Sequence, residues 1–213
     1  MPASELGLYN IACRALGERA VASTSEARET RRLLSDVFAQ GNGARTYFLE
    51  QGLWNFAMRE SSSTASSTGN FNFAQRHVKP TDFVRLSAIS ADQNFSVPLL
   101  RYEFQSSNIW ADDLTIYLRY VSNSSTAGLN YDLWPDSFTH WAGHWLAAQL
   151  APRLKNDLDM EKLEKRTTKL LGVARSNDAQ QEPTRFPPLG SWVIARRGGY
   201  GRSDGGNRGS LTG

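Results

Sequence analysis

The spacing of hydrophobic positions changes twice along this chain, from helical to alternating and back. Near the start, Leu8, Ile11, Ala12, Ala15 and Leu16 fall at i, i+3, i+4, i+7 and i+8, with Ser4 and Gly17 placed as N-cap and stop. This predicts a helix over 5–17. Ser23 and Glu26 have capping-box spacing and precede the stripe Leu33, Leu34, Val37 and Phe38, which predicts helical structure over 24–50, interrupted at Gly41 and Gly43. The serine-rich stretch "SSSTASSTGN", 61–70, reads as an exposed loop. From about residue 80 the period is two. "FVRLSAIS", "LLRYEF" (Leu100, Tyr102 and Phe104 against Arg101 and Glu103) and "LTIYLRYV" (Leu114, Ile116, Leu118 and Tyr120) predict three or four antiparallel strands. Turn residues separate them at 92–94, 105–108 and 122–128.

Helical spacing returns at 135. Pro135 suits a first turn, Asp136 or Ser137 can cap, and Phe138, Trp141, Ala142, Trp145, Leu146 and Leu150 form a stripe. This predicts a helix over 135–151 that Pro152 kinks or ends. A last helix is expected over 157–174, with Met160, Leu163, Thr167, Leu170, Leu171 and Ala174 on one face. The order helices, strands, helices, tail is α+β. The expected organisation is a helical bundle body at 1–175, a β region inserted at about 71–122, and an extended C-terminal arm at 176–213.

Composition sharpens the contrast between body and arm. Of 213 residues 40% are hydrophobic, with six Trp and ten Phe, enough for a real core. No apolar run of about 18 residues predicts a transmembrane helix, and the N-terminus lacks the basic and apolar regions of a signal peptide. The lone Cys13 leaves no internal disulfide or cysteine-based zinc site and fits a reducing, intracellular folding environment. The net charge of +3 is unevenly spread: residues 185–213 hold five arginines against Asp204, and the rest of the chain holds 19 basic and 20 acidic groups. The body therefore has no strong field of its own for nucleic acid. The last eighteen residues include seven glycines and four arginines, with only Tyr200 and Leu211 as sizeable apolar groups. Such a segment cannot offset its own backbone ordering cost of roughly 1–2 kcal/mol per residue, so it either stays disordered or is ordered by an external partner.

Candidate chemistry is sparse. His140 and His144 form an i, i+4 pair that could share a metal, but "HWAGH" lacks the glutamate of a metalloprotease helix and no third ligand is near in sequence. The helical wheel sets both histidines opposite the Phe138/Trp141/Trp145 stripe, on a solvent- or subunit-facing surface. The C-terminal glycines match neither a dinucleotide fingerprint nor a P-loop, and there is no G-x-S-x-G elbow. Asp112/Asp113 and Asp157/Asp159 stand where turns and caps expect them. Lys162, Lys165, Arg166 and Lys169 share a helix with Asp157, Asp159, Glu161 and Glu164, the pattern of a solvated face with local ion pairs. No cofactor and no enzymatic activity are expected. Three readings remain for the arm: contact with RNA or DNA through its arginines; docking into a protein groove, where glycines allow close backbone approach and arginines grip carboxylates; or plain disorder, common at a terminus.

Several segments resemble one family. "LGLYNIACRALGER", "SEARETRRLLSDVF", "YFLEQGLWNFAMR" and "LWPDSFTHWAGHWLAAQLAPRL", with the ending "SWVIARRGGYGRSDGGNRGSLTG", look like phage head-to-tail adaptor proteins, among them the tail tubular protein A of short-tailed phages. The resemblance covers roughly 6–60 and 129–213. It implies a virion structural protein, assembled in the host cytoplasm and sited in the neck, that forms a ring of commonly twelve copies beneath the portal. Such a ring binds the portal and a downstream tail or nozzle protein, and leaves a channel for the genomic DNA. No membrane is involved, and no catalytic residue carries over. On this reading Trp192, Arg196, Arg197, Tyr200, Arg202 and Arg208 contact the portal, and His140 and His144 are candidate subunit-interface residues. The alternative is a nucleic-acid-binding protein acting through the Gly/Arg-rich tail.

Overall fold

The computed structural model describes residues 3–39, 43–70, 72–154 and 160–181. They form an α+β structure: helices α1 (Glu5–Leu16), α2 (Glu29–Ala39), α3 (Ala44–Glu50), α4 (Asp136–Leu154) and α5 (Met160–Ala179) around an inserted β region. The first helix starts and stops as its sequence dictates. The Ser4 hydroxyl accepts the Gly7 N–H at 3.0 Å, and Gly17 closes the helix in the left-handed conformation, with φ 68°.

α4 is the axis of the body. From Phe138 to Ala151 only His140 and Gln149 are exposed, so the helix is buried on nearly every side, against α1, α2 and α5. Gly143 lets α1 come close, since a Cβ there would lie 2.5 Å from the Ile11 Cγ2. Aromatic rings fill the space between α3, α4 and the segment before the first strand. Trp54 meets Phe138 edge-on at 4.8 Å, Phe48 meets Trp141 at 5.1 Å, and Trp134 meets Phe138 at 4.7 Å. The buried indole N–H groups are satisfied: Trp54 donates to the Phe48 carbonyl at 2.9 Å and Trp134 to the Gly128 carbonyl at 2.8 Å.

The β region contains seven strands in two antiparallel sheets. β1 (Met58–Thr64), β7 (Thr115–Ser122) and β4 (Phe83–Ser90) form one, in the order β1-β7-β4. β2 (Ser67–Thr68), β3 (Gln75–Val78), β6 (Asn108–Ala111) and β5 (Tyr102–Gln105) form the other, in the order β2-β3-β6-β5. Ile89, Ile116, Leu118 and Tyr120 of the first sheet share a small core with Ile109 and Ala111 of the second. Three polar groups stitch this region. His77, fully buried, has ring nitrogens 3.0 Å from the Ser63 carbonyl and 2.9 Å from the Asp113 carbonyl, so one side chain ties β3 to β1 and to the β6–β7 turn. Asp82 accepts from Arg59 (2.9 Å), Tyr120 (3.0 Å) and Ser122 (2.5 Å). Burial alone would raise its pKa, but these hydrogen bonds outweigh burial and hold it below the usual carboxylate range. Asp92 organises the loop after β4.

Four expectations need correction. The serine-rich stretch is not a loop: its first residues complete β1, pairing Ser61 with Leu118 and Ser63 with Ile116, and Ser67–Thr68 form β2. The signal was hidden because these edge-strand side chains are small and polar, so no apolar alternation marks them. Ser23 and Glu26 do not open a helix. Glu26 accepts the Ala22 N–H at 2.7 Å in a turn, and α2 begins at Glu29. Leu100, Phe104 and Leu114 are not buried: Leu100 and Leu114 lie just outside their strands, in loops, and Phe104 is exposed within β5, where only Tyr102 is half-buried. Pro152 does not end α4, which runs on to Leu154; a proline in the final turn removes only one ladder bond.

Candidate functional site: the C-terminal root and the α4–α5 groove

α5 extends beyond the expected 174 to Ala179, and its last turn is fastened to the body. The buried Asp178 carboxylate accepts the Asn55 N–H, with oxygens at 3.1 and 3.0 Å, and the Asn55 side-chain amide donates to the Asp178 carbonyl at 2.7 Å. Arg175 donates through Nε to the Gln51 carbonyl at 2.8 Å, and its Nη2 shares that acceptor. The receiving segment is itself anchored, since Trp54 is locked into the aromatic core. The helix therefore ends at a defined point, and the division of the chain into two units falls after Gln181, not after residue 175. The sequence reading placed Asp178 in the extended C-terminal arm that it began at residue 176. The available signal was Ala174 and Asp178, which continue the buried face of Thr167, Leu170 and Leu171 at helical spacing. The expected portal-contact residues, Trp192, Arg196, Arg197, Tyr200, Arg202 and Arg208, lie outside the described residues.

The two histidines separate. His140 is exposed, as the wheel predicts; His144 is only 9% exposed. The wheel misplaced it because α4 is covered on more than one side. Its Nδ1 has no hydrogen-bond partner among the described residues. Burial, then the positive charge of Arg166, then His140 push the His144 pKa below the ordinary imidazole value. Among the described residues no group of three His, Cys, Asp or Glu side chains is placed to hold a metal.

Beside these lies a groove of about 290 Å³ between α3, α4 and α5. Its floor is apolar and aromatic: Trp141, Trp145, Ala148 and Leu171, with Tyr47 tilted over Trp145 at 5.1 Å. Gln149, Glu164 and Thr168 form a polar rim. On α5, Lys162, Lys165, Arg166 and Lys169 are exposed and Lys165 pairs with Glu161 at 2.5 Å; Asp157 and Asp159, expected to share in neutralising this face, lie outside the described residues. The arrangement offers surfaces for contact. Among the described residues no helix is long and apolar enough to cross a membrane. No family model and no curated protein matches the chain.

Proposed function

We propose that this chain is a virion structural protein, a head–tail connector adaptor that forms a ring, binds the portal through its C-terminal segment and leaves a passage for DNA. The observation that carries this reading is the fastening of the α5 end to "QGLWNF", part of a segment that resembles the adaptor family. Two polar anchors, Asp178 to Asn55 and Arg175 to Gln51, fix the end of α5 on a body with a large aromatic core, and residues 182–213 follow that end in the sequence. A glycine- and arginine-rich segment tethered to a rigid body suits a partner-binding role better than a catalytic one. In a ring, each copy presents one such segment to the portal, and modest contacts multiply by avidity. The near-zero charge of the remaining chain suits a wall past which DNA slides.

Deletion of 196–213 tests this. The truncated protein should keep the wild-type circular dichroism spectrum and thermal transition but fail to join portal-bearing heads in a sedimentation assay. Normal attachment by the folded truncated protein would overturn the assigned role of the arm.

A further inference from the structure

Phe95 stands in a backbone conformation that its side chain does not favour. Its φ is 55°, in the left-handed region that suits glycine and strains a bulky residue. The loop that carries it is tightly held. The Phe95 N–H donates to the Asp92 carbonyl at 3.2 Å. The Asp92 carboxylate accepts the Ser90 hydroxyl (2.5 Å), the Val97 N–H (2.8 Å), the Ser96 N–H (3.1 Å) and the Ser96 hydroxyl (2.9 Å). This loop sets the Phe95 ring against the Arg119 guanidinium, 4.9 Å from the ring centroid. Along β7, Tyr117 and Arg119 alternate with the buried Ile116, Leu118 and Tyr120, so they stand on the outer face of the sheet. Arg119 is neutralised there by its cross-strand partner Glu60, whose Oε1 accepts both its Nε (2.8 Å) and its Nη2.

Between loop and sheet lies a cleft of about 170 Å³, lined by Glu60, Ser61, Ser62, Gln93, Phe95 and Tyr117. It has one aromatic wall and several uncommitted polar groups. The Ser62 hydroxyl, the Gln93 amide and the Tyr117 hydroxyl have no hydrogen-bond partner among the described residues, and Arg119 engages only one of the two Glu60 oxygens. A cavity of about 150 Å³ accepts a benzene-sized group, so the cleft has room for one six-membered ring. Its chemistry narrows the choice. No lysine or arginine lines it and Glu60 does, which disfavours a phosphate or a carboxylate. A wholly apolar ring would desolvate these polar groups without replacing their bonds to water. A pyranose answers both demands, with a C–H face for Phe95 and ring hydroxyls that donate to a carboxylate and exchange bonds with an amide and hydroxyls. A loop fixed before contact loses little conformational freedom on binding.

We propose that the cleft between the Phe95 loop and the outer face of β1 and β7 binds a single sugar ring, with Phe95 as the stacking wall and Glu60, Gln93 and Tyr117 as partners of its hydroxyls. The proposal goes beyond the adaptor reading and does not depend on it. Saturation-transfer NMR of the full-length protein with the methyl pyranosides of glucose, galactose, mannose and N-acetylglucosamine tests it. At least one pyranoside should receive saturation, and adenosine, a flat ring with polar edges, should receive none. Phe95→Gly relieves the left-handed strain, so it should keep or raise the melting temperature while weakening sugar binding about tenfold. Tyr117→Phe removes one uncommitted hydroxyl and should leave the melting curve unchanged while weakening binding about threefold. Saturation of none of the pyranosides, equal saturation of adenosine, or undiminished sugar binding by either folded variant overturns the proposal.

Discussion

The helical body and the β region reach order by different means. In the body, α4 is sheathed by α1, α2, α3 and α5, and the indoles and phenyl rings of Phe48, Trp54, Phe138 and Trp141 share one large core. In the β region a core of six buried residues is supplemented by polar clasps, His77 and Asp82, that reach between strands and turns. Hydrophobic mass orders the first; a few directional bonds tighten the second. A large core spreads its stability over many contacts, whereas a small one depends on single side chains.

That contrast can be broken at named positions. Trp141→Ala should cost about 3–5 kcal/mol and lower the whole unfolding transition, because a 1%-exposed indole leaves a cavity that rigid helices cannot fill. His77→Ala should cost about 2–4 kcal/mol by emptying a fully buried site and removing the ring that lies between the Ser63 and Asp113 carbonyls. Its effect should be regional: hydrogen exchange should accelerate in β1, β3 and the β6–β7 turn while α1 and α4 keep their protection. Equal loss in both regions would show that they do not differ as argued. Gly143→Ala should cost about 1–3 kcal/mol, since the new methyl meets Ile11 at 2.5 Å and pushes α1 from α4.

Smaller effects divide by pH. His144 has a lowered pKa in the fold, so its contribution is complete above the ordinary imidazole value of 6.5. Below it, the unfolded chain takes up a proton that the native ring resists, and stability falls as the pH falls. Asp82 also has a lowered pKa, and its contribution is present above the usual 3.8 and lost as the pH falls through its native value. Denaturant titrations from pH 8 to pH 3 should therefore show two losses. His144→Gln should remove the one near neutrality, and Asp82→Asn should shrink the acidic one, the remainder belonging to Asp92, whose carboxyl is held low by Ser90, Val97 and Ser96. The pair Lys165–Glu161 is mostly exposed, and Lys165→Ala should change stability by less than about 0.5 kcal/mol.

Legibility in the sequence followed the same division. α1 was readable because cap, stripe and stop coincide at Ser4, Leu8 to Leu16 and Gly17. β4 was readable because "FVRLSAIS" has β-branched and apolar residues at the right period. β1 was not, because its second half is serine and threonine, and pairing with β7 through the backbone leaves no trace in side-chain polarity. The end of α5 was missed because the residues that fasten it, Arg175 and Asp178, are charged, and their partners at Gln51 and Asn55 lie more than 120 positions away. The same distance hid the groove, whose lining comes from α3, α4 and α5. The exposed Leu100 was misread as an inward strand position; alternation alone does not say where a strand starts.

The account stands most directly on electron cryomicroscopy of portal-bearing heads incubated with the purified full-length protein. It predicts a closed ring of density at the portal vertex into which copies of the 3–181 body fit side by side, each with density continuing from the end of α5 to the portal. A portal vertex without added density, or single copies scattered over the capsid, would contradict it.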